Sequence, residues 1–515
     1  EAGRKHRDIL FNWYKTAELD ERLYTLITNM WLTDEIRRKR PSPVEEAKWG
    51  LAVVEEVLWD TSTWYLRRLD TLLEASGLEK LKPHHCPIKI SSWMGGDRDG
   101  NPFVTAVVTE QVALRARKTA MRLYAKDIDE LAKQLSLNVA SKSLMKKTGK
   151  SYEPYREYLR ALRERLSVTY DWLTACEEES VYRCNSKCIL NKSDLLNPLM
   201  EIYDSLLEVN ADAVAHSLVL DVIRRVETFG LSLIPMDIRQ ESTRHQNVII
   251  KLCQYLDLGD YQSWNEAEKC QWLISELENK RPLLSEDCPF DEQEQEVIDT
   301  AKTIARLPVD QFGAYVISMA STASDVLAVH LIQKMCGVQN TLRVVPLFET
   351  LDDLNNAADV LSQLFELEWY KRESKQQQEV MIGYSDSGKD AGKVAASWGL
   401  YCAQEKMLEA ANKYKVHLTF FHGRGGTVGR GGGPVREALL SQPPGTVAGH
   451  MRVTEQGEVI QQKFGSKSAA RRNFLTYISS VLEATLLPPA KPKQAWHDMM
   501  EQMSAISRDA SNRFF

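Results

Sequence analysis

The sequence predicts an α/β protein, predominantly helical, organised around a TIM-like β-barrel with extensive helical additions. Three observations predict it. In the first half, apolar residues recur at helical spacing over long stretches. In the second half, short apolar runs alternate with helical stretches, the rhythm of βα units on a parallel sheet. Charged or glycine-rich segments follow the ends of those runs, and in a barrel that end of the strands carries the active site. An open doubly wound sheet is the alternative for the same rhythm.

Taken in order, helices are expected over 23–38 and 43–73, the second opening on Ser42 as N-cap and Pro43 at the first helical position. Further helical patterns cover 109–137, 154–173 and 198–229. Polar breaks fall at 146–150, 185–187 and 281–287. Candidate strands are 233–238, 315–319, 342–347, 380–384, 416–421 and 459–464, with 88–92 as one more, and helices at 324–335 and 390–414 lie between them. This divides the chain into a mainly helical region, 1–230, and the βα units of 231–515, the two forming one intertwined catalytic unit.

At 515 residues the chain has the length of two to four domains or of one large barrel with additions. The 65 basic residues against 71 acidic ones leave a net charge of −6, which argues against nucleic acid as a partner. No apolar run reaches the length of a membrane span, and the N-terminal residues lack the apolar stretch of a signal peptide, so a cytoplasmic location is expected. The nine cysteines are scattered, as reduced thiols are. Cys184 and Cys188 lack the second close pair of a zinc site, and His84-His85-Cys86 is adjacent rather than spaced.

The chemistry gathers at the strand ends. Phe421-His422-Gly423-Arg424-Gly425-Gly426-Thr427-Val428-Gly429-Arg430-Gly431-Gly432-Gly433-Pro434 holds seven glycines, two arginines and one histidine. Glycine lets backbone approach a ligand closely, and arginine offers a donor fork suited to phosphate or carboxylate. Arg239 stands at the end of the first strand, Glu349 at another, and Asp386 and Lys389 at a third. Two carboxylates from different strands suit a Mg²⁺ ion that bridges to a ligand phosphate. The arginines would hold that phosphate, and Lys389 and His422 are candidates for handling protons or phosphate. The structural alternatives are a helix N-cap for Glu349, a turn carboxylate for Asp386, a buried ion pair for Arg239 and a plain turn for the glycine loop. Gly383 to Lys389 nearly matches a phosphate-binding G-x-x-x-x-G-K-[ST] loop, but Asp390 stands where the hydroxyl belongs. Asp97-Arg98-Asp99-Gly100-Asn101 lacks calcium-loop spacing and reads as a tight acidic turn.

Together these motifs resemble phosphoenolpyruvate carboxylase of the bacterial type. The resemblance runs from Thr33-Asp34-Glu35-Ile36-Arg37-Arg38 through Trp93-Met94-Gly95-Gly96-Asp97-Arg98-Asp99-Gly100-Asn101-Pro102 and Met236-Asp237-Ile238-Arg239-Gln240-Glu241-Ser242. It continues through the glycine loop to Ser441-Gln442-Pro443-Pro444-Gly445 and Arg452-Val453-Thr454-Glu455-Gln456-Gly457-Glu458. It implies an eight-stranded barrel in a mostly helical carboxy-lyase, a homotetramer at full length. Its reaction joins phosphoenolpyruvate and bicarbonate into oxaloacetate and phosphate with Mg²⁺ or Mn²⁺, replenishing the tricarboxylic acid cycle. By motif, Glu349 and Asp386 would hold the metal, Arg239 and Arg424 the substrate phosphate. Lys389 and His422 would assist at phosphate and bicarbonate, and Arg430 would close the loop. Trp93, Leu347 and Met381 would form the apolar pocket that retains CO₂, with core packing as the alternative.

The family's His-Pro-Thr motif and its C-terminal portion are not in this sequence. An internal stretch of the family is therefore expected, with an incomplete barrel, an exposed strand edge and no carboxylation by this chain alone. The rivals are a dikinase-like phosphotransferase, which would need a nucleotide-binding domain and a phosphohistidine carrier, and an inert truncated remnant.

Overall fold

The computed structural model describes residues 17–33, 41–149, 151–179, 183–383, 385–423 and 435–512. The chain falls into two compact units, Glu1–Ser42 and Pro43–Phe515. Within the first, one helix spans Ala17–Leu32.

The second unit is helical up to Phe229. The stretch expected as one helix over 43–73 is three pieces: Pro43–Val53, a π-turn at Val54–Leu58, and Trp59–Ala75. The long helix α1, Ala106–Gln134, starts where Thr105 accepts a hydrogen bond from Val108 N, and it packs along Pro154–Glu179. The helix expected over 198–229 opens earlier, at Lys192, and stops at Glu208. A capping box at Asn191 and Asp194 fixes that start, and Pro198 lies inside the helix. The chain resumes its helix at Asp212 and ends it in Leu220–Phe229, at Gly230.

From there the βα rhythm takes over. Among the described residues six strands follow: β1 (Met236–Glu241), β2 (Phe312–Ser318), β3 (Arg343–Phe348), β4 (Gln377–Ile382), β5 (His417–His422) and β6 (Arg452–Val453). Each pairs parallel with the next in sequence, in the order β1-β2-β3-β4-β5-β6. A doubly wound sheet would reverse its order at a switch point. This one does not, so the sheet curls as an open part-barrel, as expected. Helices cross between the strands: α2 (Ser242–Tyr255), α3 (Ala323–Met335), α4 (Leu351–Glu366) and α5 (Ser385–Lys413). The segment 459–464, expected as a strand, is helix instead, Glu458–Phe464. Ile460 and Phe464 stand four apart, which suits one helical face rather than alternation. The strand at this place is the two-residue β6, paired with Phe421 and His422. Helices α6 (Lys467–Leu486) and α7 (Gln494–Asn512) complete the description. All nine cysteines are free thiols.

Strand alternation sorts the side chains into two sets. Outward residues such as Ile238, Tyr315, Val344, Val380 and Phe420 join the main core under the helices. Inward residues stack in layers. The lowest is charged: Asp237 on β1, Arg343 on β3, Glu379 on β4 and Arg452 on β6. Arg343 and Arg452 each reach Glu379 at 2.7 Å, and Arg452 also pairs with Asp237. Burial pushes the Glu379 carboxyl up, but the two arginines hold it below its ordinary value. Above lies an apolar layer of Ala314, Val316, Val345, Leu347, Met381 and Phe421, packed against Trp93.

Candidate functional site at the mouth of the strands

The mouth is built first by backbone. The segment expected as a further strand at 88–92 forms only one isolated parallel bridge, Ser92 with Met236, and Asp97 beyond it forms another with Arg239. It nonetheless covers the free edge of β1. Ser92 N donates to Pro235 O at 3.1 Å, Asp237 N to Ser92 O at 2.7 Å, Arg239 N to Gly96 O at 2.9 Å and Arg98 N to Arg239 O at 2.9 Å. Gly96 is needed for this approach, since a Cβ there would stand 2.0 Å from Asp237 O.

The acidic turn then divides its side chains. Arg98 points into the protein, donating to Gly96 O at 3.1 Å and Thr109 Oγ1 at 2.7 Å, with Glu296 at 3.6 Å. Thr109 in turn donates to Gly95 O at 2.6 Å, which ties the turn to α1. Asp97 and Asp99 face the other way, towards Arg239. Asp97 keeps the turn closed by accepting from Gly100 N at 3.2 Å.

Arg239 is the centre of the described site. Its Nη2 lies 2.7 Å from Asp99 and 3.7 Å from Glu349, and its Nη1 lies 3.4 Å from Asp97. The guanidinium sits 5.8 Å from the Trp93 ring. Its Nε is buried without a hydrogen-bond partner among the described residues. Burial pushes the Asp97 carboxyl above its ordinary value, against the pull of Arg239. Glu349 follows Leu347 on the inward side just past β3 and is 8 % exposed. Gly383, past the end of β4, makes room for it: a Cβ there would meet Glu349 Cγ at 3.0 Å. Beneath this group, Leu347 and Met381 are register partners between β3 and β4 and share the apolar layer with Trp93.

Trp93, Arg239, Leu347, Glu349 and Met381 are thus brought together. His422 sits differently. On β5 it shares the parity of Leu418 and Phe420, which belong to the outer core, whereas Phe421 faces inward. Burial holds its imidazole neutral, with a pKa lowered to about 3. Its carbonyl accepts from Thr454 N at 3.1 Å. Asp386 and Lys389 lie in the first turns of α5, and their side chains are outside the description, as are Arg424 and Arg430 altogether. The residues that sequence reasoning passed over are Asp97 and Asp99, read there as parts of a turn. The sequence signal was the pair of carboxylates in Asp97-Arg98-Asp99, whose turn puts both on the Arg239 side.

Of the two carboxylates expected to hold a metal, Glu349 is described, and its hard oxygen is of the class that suits Mg²⁺ or Mn²⁺ rather than a thiophilic ion. Among Arg239, Asp97, Asp99 and Glu349, three carboxylates face one guanidinium.

Comparison with known proteins agrees with the motifs. A family model described as phosphoenolpyruvate carboxylase matches residues 5–513. Proteins named phosphoenolpyruvate carboxylase are similar to this chain: that of Shewanella sediminis is 49% identical over 490 residues, 95% of this chain and 56% of the relative. That of Hahella chejuensis is 48% identical over 492 residues, 95% of this chain and 56% of the relative. That of Pseudomonas fluorescens is 48% identical over 505 residues, 98% of this chain and 57% of the relative. The chain therefore spans little more than half the length of the relatives it matches. With the family model running over nearly the whole sequence, and the Arg239 cluster seated above an apolar layer at the strand mouths, the chain belongs to the phosphoenolpyruvate carboxylase family.

Proposed function

We propose that the protein carrying this chain joins phosphoenolpyruvate and bicarbonate into oxaloacetate and inorganic phosphate, supplying four-carbon acids to the tricarboxylic acid cycle. The observation that carries the reading is Arg239, a half-buried guanidinium held by carboxylates directly above an apolar layer. A guanidinium in that position suits a phosphate, and the layer beneath suits an uncharged gas molecule.

Glu349 and Asp386 would hold Mg²⁺ or Mn²⁺, which when bound supplies charge stabilisation to phosphate and enolate oxygens. Arg239 and Arg424 bind the phosphoryl group and orient it. Bicarbonate oxygen attacks phosphorus, and the bond from phosphorus to the enol oxygen breaks, giving carboxyphosphate and the pyruvate enolate. Carboxyphosphate then divides into CO₂ and phosphate, and the enolate carbon forms the new bond to CO₂. Trp93, Leu347 and Met381 exclude water from that encounter and retain the gas. Lys389 steadies the transferring phosphoryl group. His422, kept neutral by burial, would assist at bicarbonate as an uncharged hydrogen-bonding group. Arg430 closes the glycine loop over the reactants. A cytoplasmic homotetramer is part of the same proposal. No helix among the described residues is long and apolar enough to cross a membrane.

The test is the intact reading frame containing this chain, given phosphoenolpyruvate, Mg²⁺ and labelled bicarbonate. Label in oxaloacetate without nucleotide is the expected result. Phosphoryl transfer that demands nucleotide would move the protein to the dikinase class, and an absence of both would leave the inert-remnant reading standing.

A further inference from the structure

Far along α5 from Asp386 and Lys389, the face formed by Trp398, Tyr401, Cys402 and Glu405 packs against α7, which presents His497 and Glu501. The numbering of the first four, i, i+3, i+4 and i+7, puts them on one side of their helix. The Cys402 thiol, a Glu405 carboxylate oxygen and a His497 ring nitrogen all lie within 4.8 Å of one another.

We propose that Cys402, Glu405 and His497 form a binding site for a borderline-soft divalent cation, Zn²⁺ first among them, distinct from the Mg²⁺ site proposed at Glu349.

The ligand types decide the metal class. Sulfur, imidazole nitrogen and carboxylate oxygen together suit zinc, and three protein ligands leave a fourth position for water. The geometry agrees. His497 Nε2 and Glu405 Oε2 stand 3.6 Å apart, beyond hydrogen-bonding reach. Two ligands on one tetrahedral zinc, each bonded at about 2.0–2.2 Å, stand roughly 3.4 Å apart. The spacing thus suits two groups that share an ion better than two that bond each other. The imidazole is also held in place by aromatic neighbours. Its ring meets Trp398 edge-on at 5.1 Å and Tyr401 at 6.3 Å, and Trp398 is itself fixed by donating to Glu501 at 2.7 Å. A thiol ligand gives up its proton to the metal, so binding strengthens with rising pH. Lys406 near Cys402, and Glu409 and Lys491 near Glu405, are the remaining charges around the group. The bland alternative, a loose His–Glu pair beside a core thiol, accounts for the burial but not for the convergence of three ligand atoms. Bound zinc would fasten α7 to α5.

The test uses the purified chain with Glu349→Gln, so that uptake at the mouth of the strands does not interfere, stripped with chelator and titrated with Zn²⁺ or Co²⁺ alone. One equivalent of Zn²⁺ is expected, and the Co²⁺ form should show an intense near-ultraviolet thiolate-to-metal band. Cys402→Ser should abolish that band, and His497→Gln should weaken Zn²⁺ binding at least tenfold. Circular dichroism in chelator checks that both variants fold. Should either fail to fold, mass spectrometry of alkylated unsubstituted protein replaces it, with Zn²⁺ expected to protect Cys402 selectively. Equal metal binding with and without Cys402, or alkylation of Cys402 unaffected by Zn²⁺, overturns the proposal. Neither result depends on carboxylase activity.

Discussion

Arg239 is held by three carboxylates and an aromatic face, with its Nε left over. Its place at the strand mouth, directly above the apolar layer, is what supports the proposed phosphate role. Arg239→Gln, made in the intact reading frame, should lower kcat/KM for phosphoenolpyruvate by roughly 10²–10³-fold, the scale of removing one charge-stabilising donor. Steady-state kinetics checks it, and a loss below tenfold would return Arg239 to a structural role. Three histidines bear on stability. His245, His330 and His422 are buried, which lowers their pKa values to about 3, about 4 and about 3. Between those values and the ordinary 6.5, the unfolded chain binds more protons than the folded one. The stability they support is therefore whole above pH 6.5 and is lost as the pH falls, by about 1 kcal/mol per unit for each. Urea unfolding at pH 7 and pH 5 should show that decline, and His330→Gln should make it shallower. An identical slope in the variant would refute the assignment.

Among the elements, the edge formed by 92–98 is the one whose backbone leaves least room. Gly96→Ala would drive a Cβ into Asp237 O, which is backbone and cannot swing aside. A loss of about 2–3 kcal/mol is expected, at the upper end for overpacking. The urea midpoint reads it, and an unchanged midpoint would mean that the edge does not lie on β1. Much of the element order was legible. Short apolar runs marked β1 to β5 because their inward and outward faces are both buried, and the helices between them show clean periodicity. The short β6 was not legible. Its two residues owe their strand form to pairing with Phe421 and His422 rather than to any pattern of their own. The carboxylates of Asp97 and Asp99 were hidden for a related reason: their partner Arg239 stands about 140 positions away in sequence. Cys402 and His497 are likewise separated by 95 positions and meet only through helix packing.

For the whole molecule, the charged layer beneath the apolar one is decisive. Arg452 joins the last strand of the sheet to the first through Asp237, and to β4 through Glu379. Arg452→Met would leave Asp237 buried without its cation, at a cost of about 3–5 kcal/mol near neutral pH. Burial already pushes the Asp237 carboxyl up against the pull of Arg452, and without the arginine it would rise further. A raised folded pKa favours the folded state below the unfolded value and loses that advantage as pH rises. The variant's deficit should therefore shrink in acid, and a deficit independent of pH would show that Asp237 is not the group left stranded.

The edge of β1 also has a history in time. Ser92, which covers it, precedes Met236 by 144 residues, so on a ribosome adding about 5–20 residues per second its partner is made roughly 7–30 s beforehand. Arg452 comes 215 residues after Asp237, roughly 11–43 s later at the same pace. During synthesis β1 thus meets a waiting neighbour, while its aspartate waits for a counter-charge that has not yet been translated.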